Sequence, residues 1–235
     1  YFKRSFFSCS VSIFKTRGML MKILTEHEAK KLLLKYGIPV TKESIANSPD
    51  EAFAIASQIG TPVAMKISSP DISHKSDVGG VVLNVGAHEA RSTYDKIISQ
   101  IKKVAPLARI EGILVQQMAP QGQELIVGLK KDAQFGHALM FGLGGIFVEV
   151  YKDVSFRVVP IEKSEALDMI SQIRGYPILK GIRGRKPANI EAIAHVLVSV
   201  SQMAQKENII ELDINPLMAG ETGVVTVDAR AMIEE

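Results

Sequence analysis

Segments of helical and of extended periodicity follow one another from residue 21 to the end of this chain, and no other property limits its fold as far. Thr25-Glu26-His27-Glu28 has the spacing of a capping box, in which a threonine hydroxyl and a glutamate carboxylate satisfy each other's free backbone donors. The helix it opens runs through AKKLLLKY and is stopped by Gly37, with Pro39 just beyond. Ser48-Pro49-Asp50-Glu51 starts a second helix: a serine cap, proline in the first turn, then acids at the positive end of the helix dipole. It ends at Gly60. Further helices are expected over residues 89–104, with Tyr94, Ile97, Ile98 and Ile101 on one face, over 163–174 and over 189–206.

Between them lie short apolar runs with strand character: residues 62–67 (PVAMKI), 78–85 (VGGVVLNV), 112–118 (GILVQQM) and 123–129 (QELIVGL). The stretch ALMFGLGGIFVEVYKDVSFRVVPI contains more strands around a glycine turn. The chain closes with IIELDINPL and VVTVDAR, two strands joined by a short loop holding Gly220 and Gly223. Helices mixed with hairpin-like strand pairs imply an α+β fold rather than one doubly wound sheet. Two lobes of this kind would leave a cleft, the usual place for a ligand.

Composition narrows the function classes. No stretch approaches the ~20 apolar residues of a membrane helix. The single cysteine, Cys9, excludes an internal disulfide framework and fits a reducing, cytoplasmic setting. The formal charge of +3 comes from residues 1–20, where Lys3, Arg4, Lys15 and Arg17 face no acid. The other 24 basic residues (28 less four) nearly cancel the 25 acids, so nothing favours nucleic acid as a partner. Residues 1–20 lack caps and clean periodicity; they read as a leader, upstream-translated or disordered, more readily than as a transit peptide.

Several residues are placed to carry chemistry. Lys66 stands among Val63, Ala64, Met65 and Ile67, which suits either a lysine snorkelling off the strand or a cation facing phosphates. The loop SSPDISHKSDVGG follows; Gly79 and Gly80 would let backbone amides approach a phosphate, Lys75 adds charge, and His74 is either solvated or a nitrogen nucleophile for phosphorus. Gln116, Gln117 and Met118 end a strand and suit the edge of a base, with Glu124 within reach of ribose hydroxyls; the plainer reading is a hairpin with an exposed acid. Asp213 and Asn215, two apart, share a strand face, and Asp228 lies in the next strand. Three oxygen side chains in apolar strands suit Mg²⁺ better than a merely polar surface. The GLGG cluster and Glu149, Lys152 and Arg157 beyond it are candidates for a phosphate-site or partner surface.

Taken in order, MKI, SPDISHKSDVGGV, ILVQQM-APQGQE, FGLGGIFVEVYKDVSFRVVP, ELDINPL and VDAR resemble the β subunits of ADP-forming acetyl-CoA synthetases, of the NDP-forming acyl-CoA synthetase family, from about Met21 to the C-terminus. The resemblance implies a two-lobed ATP-grasp fold over 21–235, with lobes at about 38–112 and 113–235 and a nucleotide cleft between them. It implies that Lys66 holds nucleotide phosphates, that Gln116, Gln117 and Met118 form the adenine hinge, and that Glu124 is the ribose-side acid. Asn215 and Asp228 match Mg²⁺ ligands with Asp213 close by, and His74 matches a histidine that relays phosphate between an α subunit and ADP/ATP. No segment resembles the CoA-binding domain, so the resemblance implies a separate CoA-binding α subunit in an α2β2 assembly. Another ATP-grasp carboxylate ligase, with no use for His74, and a non-catalytic nucleotide sensor are the competing readings.

Overall fold

The computed structural model describes residues 21–60, 62–72, 74–145, 152–182, 184 and 186–234. They form two compact units, one built on residues 43–116, the other on 23–42 and 117–234. Residues 1–20 and 146–151, with Glu149 among the latter, lie outside the described residues.

The chain enters through strand β1 (Met21–Leu24) and helix α1 (Glu26–Lys35). The capping box forms as the residues dictate: Glu28 N–H donates to Thr25 Oγ1, and Thr25 N–H donates to Glu28 Oε2 at 2.9 Å. Gly37 takes φ +73°, which glycine adopts without steric cost, and turns the chain out of the helix. Leu24, Ala29, Leu33 and Ile38 are buried in the core of the second unit.

The first unit then follows: β2 (Glu43–Ala46), α2 (Pro49–Ile59), β3 (Val63–Ser68), β4 (Val81–Val85), α3 (Ala90–Val104) and β5 (Gly112–Gln117). Its four-stranded sheet has the order β2-β5-β3-β4. Ala52 and Ala56 of α2 and Ile97 and Ile101 of α3 bury against Val63, Met65, Ile67, Ile113 and Val115. Strand β4 starts three residues later than its apolar pattern suggests. Val78 belongs to a turn closed by Gly80 N–H donating to Lys75 O at 2.7 Å and Gly79 N–H donating to Ser76 O at 3.1 Å.

The second unit continues with β6 (Gln123–Asp132), β7 (Gly136–Leu143), β8 (Val154–Val158), α4 (Lys163–Gln172), α5 (Tyr176–Leu179), α6 (Ile190–Lys206), β9 (Ile209–Gly220), β10 (Gly223–Thr226) and β11 (Ala229–Glu234). The sheet runs β1-β11-β9-β6-β7-β8, with β10 also on β9. One face is apolar: Leu125, Val127, Leu129, Leu139, Phe141, Leu212 and Ile214 bury against Met169 and Ile170 of α4 and Ile193, Leu197 and Val200 of α6. Period-2 alternation sends Glu211, Asp213 and Asn215 to the other face.

Two local departures have clear causes. Helix α4 stops at Gln172, short of 174, because the Asp153 carboxylate accepts the N–H groups of Arg174 and Gly175, both at 2.7 Å. VVTVDAR is two strands rather than one: β10 pairs with residues 217–220 of β9 and β11 with 209–214. At the break Val227 N–H donates to Pro216 O and Asn215 N–H donates to Asp228 O, while Pro216 has no N–H to give. None of the described helices is long and apolar enough to cross a membrane.

Candidate functional site

In the first unit, Lys66 lies opposite Val81 and is 6% exposed, since its neighbours Met65 and Ile67 fill the core and the ladder leaves it on the other face. Gln116 is buried near the end of β5, across from Glu43. His74 is exposed in the β3–β4 loop, and both flanks of that loop are held. Upstream, Asp71 Oδ2 accepts Arg109 N–H at 2.7 Å, Asp71 N–H donates to Ser69 Oγ at 3.2 Å, and Ile72 is buried in the core. Downstream, a Cβ on Gly80 would stand 2.6 Å from Ile67 Cγ2, so only glycine lets the loop close that tightly. Here the sequence argument for the glycines needs correcting: the Gly79 and Gly80 amides are taken up by Ser76 and Lys75 carbonyls. The glycines shape the turn that presents His74 rather than offering donors.

In the second unit, Gln117 N–H donates to Lys42 O at 2.8 Å, with Met118 next in the chain. Glu124, exposed on β6, is pressed by the glycine cluster: Gly144 N–H donates to Glu124 O at 2.7 Å, and a Cβ on Gly145 would sit 3.3 Å from Glu124 Oε2. Glu124 pairs with Met218 of β9, and farther along β9 stand Asp213 and Asn215. Register brings the three oxygen residues together. Ala229 faces Ile214 and Arg230 faces Asp213, so Asp228 meets Asn215, whose N–H bonds its carbonyl at 3.1 Å.

Asp213 is the most perturbed carboxyl among the described residues. Burial, then the charge of Asp228, then Glu211 push it up to about 7, and Arg230 opposes them. Burial also raises Glu211, against the pull of Lys130 and Arg230, with Lys130 Nζ 4.0 Å from Glu211 Oε2. Two carboxylates that repel one another, beside an amide oxygen and with Arg230 opposite Asp213, form a hard-oxygen donor set. That set fits Mg²⁺. The described residues contain no group of three or more His, Cys, Asp or Glu side chains placed to hold a metal, so such an ion would complete its shell with Asn215, water and phosphate.

Lys66, His74, Gly79, Gly80 and Gln116 belong to the first unit, and Gln117, Met118, Glu124, Asp213, Asn215 and Asp228 to the second. Glu211 and Arg230 went unnoticed in the sequence, although their spacing of two from Asp213 and Asp228 was the available signal. Arg157, a surface candidate, is engaged instead: its guanidinium donates to Gln172 Oε1 at 3.0 Å and to Phe156 O at 2.8 Å.

Residues 17–233 match the ATP-grasp domain, and the class of protein defined here is that of the ATP-grasp enzymes, mixed helices over antiparallel sheets that bind a nucleotide. The β subunit of ADP-forming acetate–CoA ligase I of Pyrococcus furiosus is 50% identical over 212 residues, 89% of this chain and 91% of that one. The ADP-forming acetate–CoA ligase I of Archaeoglobus fulgidus is 48% identical over 88% of this chain but only 30% of its own length. Among solved structures, dinucleotide-forming acetyl-coenzyme A synthetase 1 of Ca. Korarchaeum cryptofilum, in complex with coenzyme A, Ca-AMPCP and HgCl⁺, superposes with a TM-score of 0.88 at 48% identity, covering 90% of this chain and 93% of that one. The chain therefore belongs to the β-subunit family of the ADP-forming acetate–CoA ligases. The Archaeoglobus relative is about three times as long as the region it shares with this chain.

Proposed function

We propose that this chain passes phosphate between His74 and ADP, making ATP reversibly, while a CoA-binding α subunit in an α2β2 assembly converts acyl-CoA and inorganic phosphate to free acid and CoA and leaves the phosphoryl group on a carrier histidine of its own. The observation that carries the nucleotide end is the strand register that brings Asp213, Asn215 and Asp228 together. Bound there by Asn215 and Asp228, with Asp213 beside them, Mg²⁺ would neutralise charge on the nucleotide phosphates. Lys66 is a buried cation suited to nucleotide phosphates, Gln116, Gln117 and Met118 suit the adenine, and Glu124 the ribose.

His74 carries the phosphoryl group. Its nitrogen attacks phosphorus on the α-subunit carrier, whose N–P bond breaks. In the second step an oxygen of ADP's terminal phosphate attacks, the N–P bond on His74 breaks, and the imidazole is freed as the new P–O bond completes ATP. An exposed imidazole on a loop held at both flanks can meet two partners in turn without refolding the loop. A structure of the Korarchaeum enzyme has a phosphohistidine segment pointing towards the nucleotide binding site, which supports phosphate transfer by way of a histidine.

The test is label transfer. An α subunit carrying radiolabelled phosphate should label this chain, and Mg·ADP should then move the label to ATP. His74→Ala should stop the first transfer. Label that never reaches this chain or ADP would remove the relay reading and leave a nucleotide sensor. Label that reaches ATP equally well through His74→Ala would point to a ligase with no need of the histidine.

A further inference from the structure

Lys30 is among the largest fully buried side chains of the described residues, 1% exposed, and no role given so far uses it. Its ammonium donates to Glu26 Oε1 at 2.9 Å, one turn back on α1, and to Thr41 Oγ1 at 3.3 Å. The Glu26 side chain is 2% exposed, so both charges have left water. Such a pair adds little stability over apolar residues of the same size, and its best-attested value is in fixing one geometry.

The geometry it fixes leads to the acid site. Thr41 lies beyond the end of α1, and its N–H donates to Thr226 O at 3.1 Å. Thr226 N–H donates in turn to Pro39 O at 2.8 Å, and Val40 bridges Thr226 in parallel. Thr226 ends β10, two residues before Asp228. The next residue, Val227, donates to Pro216 O at 3.0 Å, and the Asp228 carbonyl accepts Asn215 N–H at 3.1 Å. The turn that carries Asp228 is thus stitched to β9 on one side and to residues 39–41 on the other, and Lys30 holds Thr41.

We infer that the buried Glu26–Lys30 pair, acting through Thr41, is a positioning device for Asp228 that sets the affinity of the acid site for a divalent cation. The inference rests on the proposed use of Asp213, Asn215 and Asp228 for Mg²⁺. It gives the N-terminal helix, far from those acids in sequence, a part in binding the metal. A shift of Asp228 by a fraction of an ångström alters its distance to Asp213 and Asn215 together, so the effect should fall on the cation more than on the nucleotide.

The experiment is calorimetric titration of ADP into the full chain at stepped Mg²⁺ concentrations, with thermal midpoints recorded alongside. Thr41→Val, which keeps the shape and removes the acceptor, should raise the Mg²⁺ midpoint about tenfold or more, the scale of one hydrogen bond to a charged donor. Thr41→Ser should restore it. The double variant Glu26→Gln with Lys30→Met, which leaves no lone charge buried, should raise it at least as far. Thr226 Oγ1 is buried without a partner, so Thr226→Val should change nothing. Thr41→Val and the double variant leaving the Mg²⁺ midpoint at the wild-type value while lowering the thermal midpoint would overturn the inference, making the pair an anchor for α1 alone. Wild-type chain that binds ADP without any Mg²⁺ dependence would instead overturn the metal reading beneath it.

Discussion

The two units place their chemistry in opposite ways. In the first, the side chain proposed to carry phosphate is in a loop: His74 is exposed, and its position follows from Asp71 on one flank and the Gly80 turn on the other. In the second, the charged groups sit within or next to strands, where register decides what faces what, and burial leaves Asp213 strongly perturbed. A group that must visit two partners is well served by an exposed, pinned loop. A metal and a nucleotide are better served by a sheet, whose ladder holds oxygen donors at fixed spacing.

Several changes would break or sharpen that contrast. The largest effect belongs to the loop. His74→Ala should lower turnover of the αβ assembly by a factor on the order of 10³ or more, while affinity for Mg·ADP falls by less than ~10-fold, measured by coupled assay and calorimetry. Next come the acids: Asp228→Asn should weaken Mg²⁺-dependent ADP binding by about 10- to 100-fold, the range for losing a charged partner in a metal site. Gly80→Val forces a Cβ to within 2.6 Å of Ile67 Cγ2 and should destabilise the first unit by about 1–3 kcal/mol in urea unfolding. It should also slow phosphate transfer, because Lys75, whose carbonyl closes the turn, adjoins His74.

The smallest effect is a pH dependence of the metal-free protein. The Asp213 carboxyl is raised on folding, so the folded state holds the extra proton. Its stabilising contribution is fully present below the unfolded value of about 4 and is lost as pH rises through about 7. The thermal midpoint should decline across that window, and Asp213→Asn should flatten the decline. An equal slope in both proteins would show that Asp213 does not set it.

Helix ends were the most legible part of the fold, because caps act locally. Thr25, Gly37, Ser48 and Gly60 mark them in sequence and in space alike. Strand ends were less so. Val78 has the composition of a strand yet lies in the turn closed by Gly80, and VVTVDAR breaks where Pro216 of the neighbouring strand withholds an N–H; both outcomes depend on partners distant in sequence. For the site, the spacing of Asp213 and Asn215 was readable from the period of a strand. Arg230 opposite Asp213, and Lys30 reaching Thr41, depend on register and packing that no local pattern contains.

The central claim, which rests on the proposed function, is that Lys66 and Asp228 both serve nucleotide binding. Calorimetric titration of Mg·ADP into Lys66→Met and into Asp228→Asn tests it most directly. The account predicts that each variant loses at least ~10-fold in affinity, about 1.4 kcal/mol. Full affinity in Lys66→Met, with the loss confined to Asp228→Asn, would mean that Lys66 does not hold the nucleotide phosphates and would contradict the account.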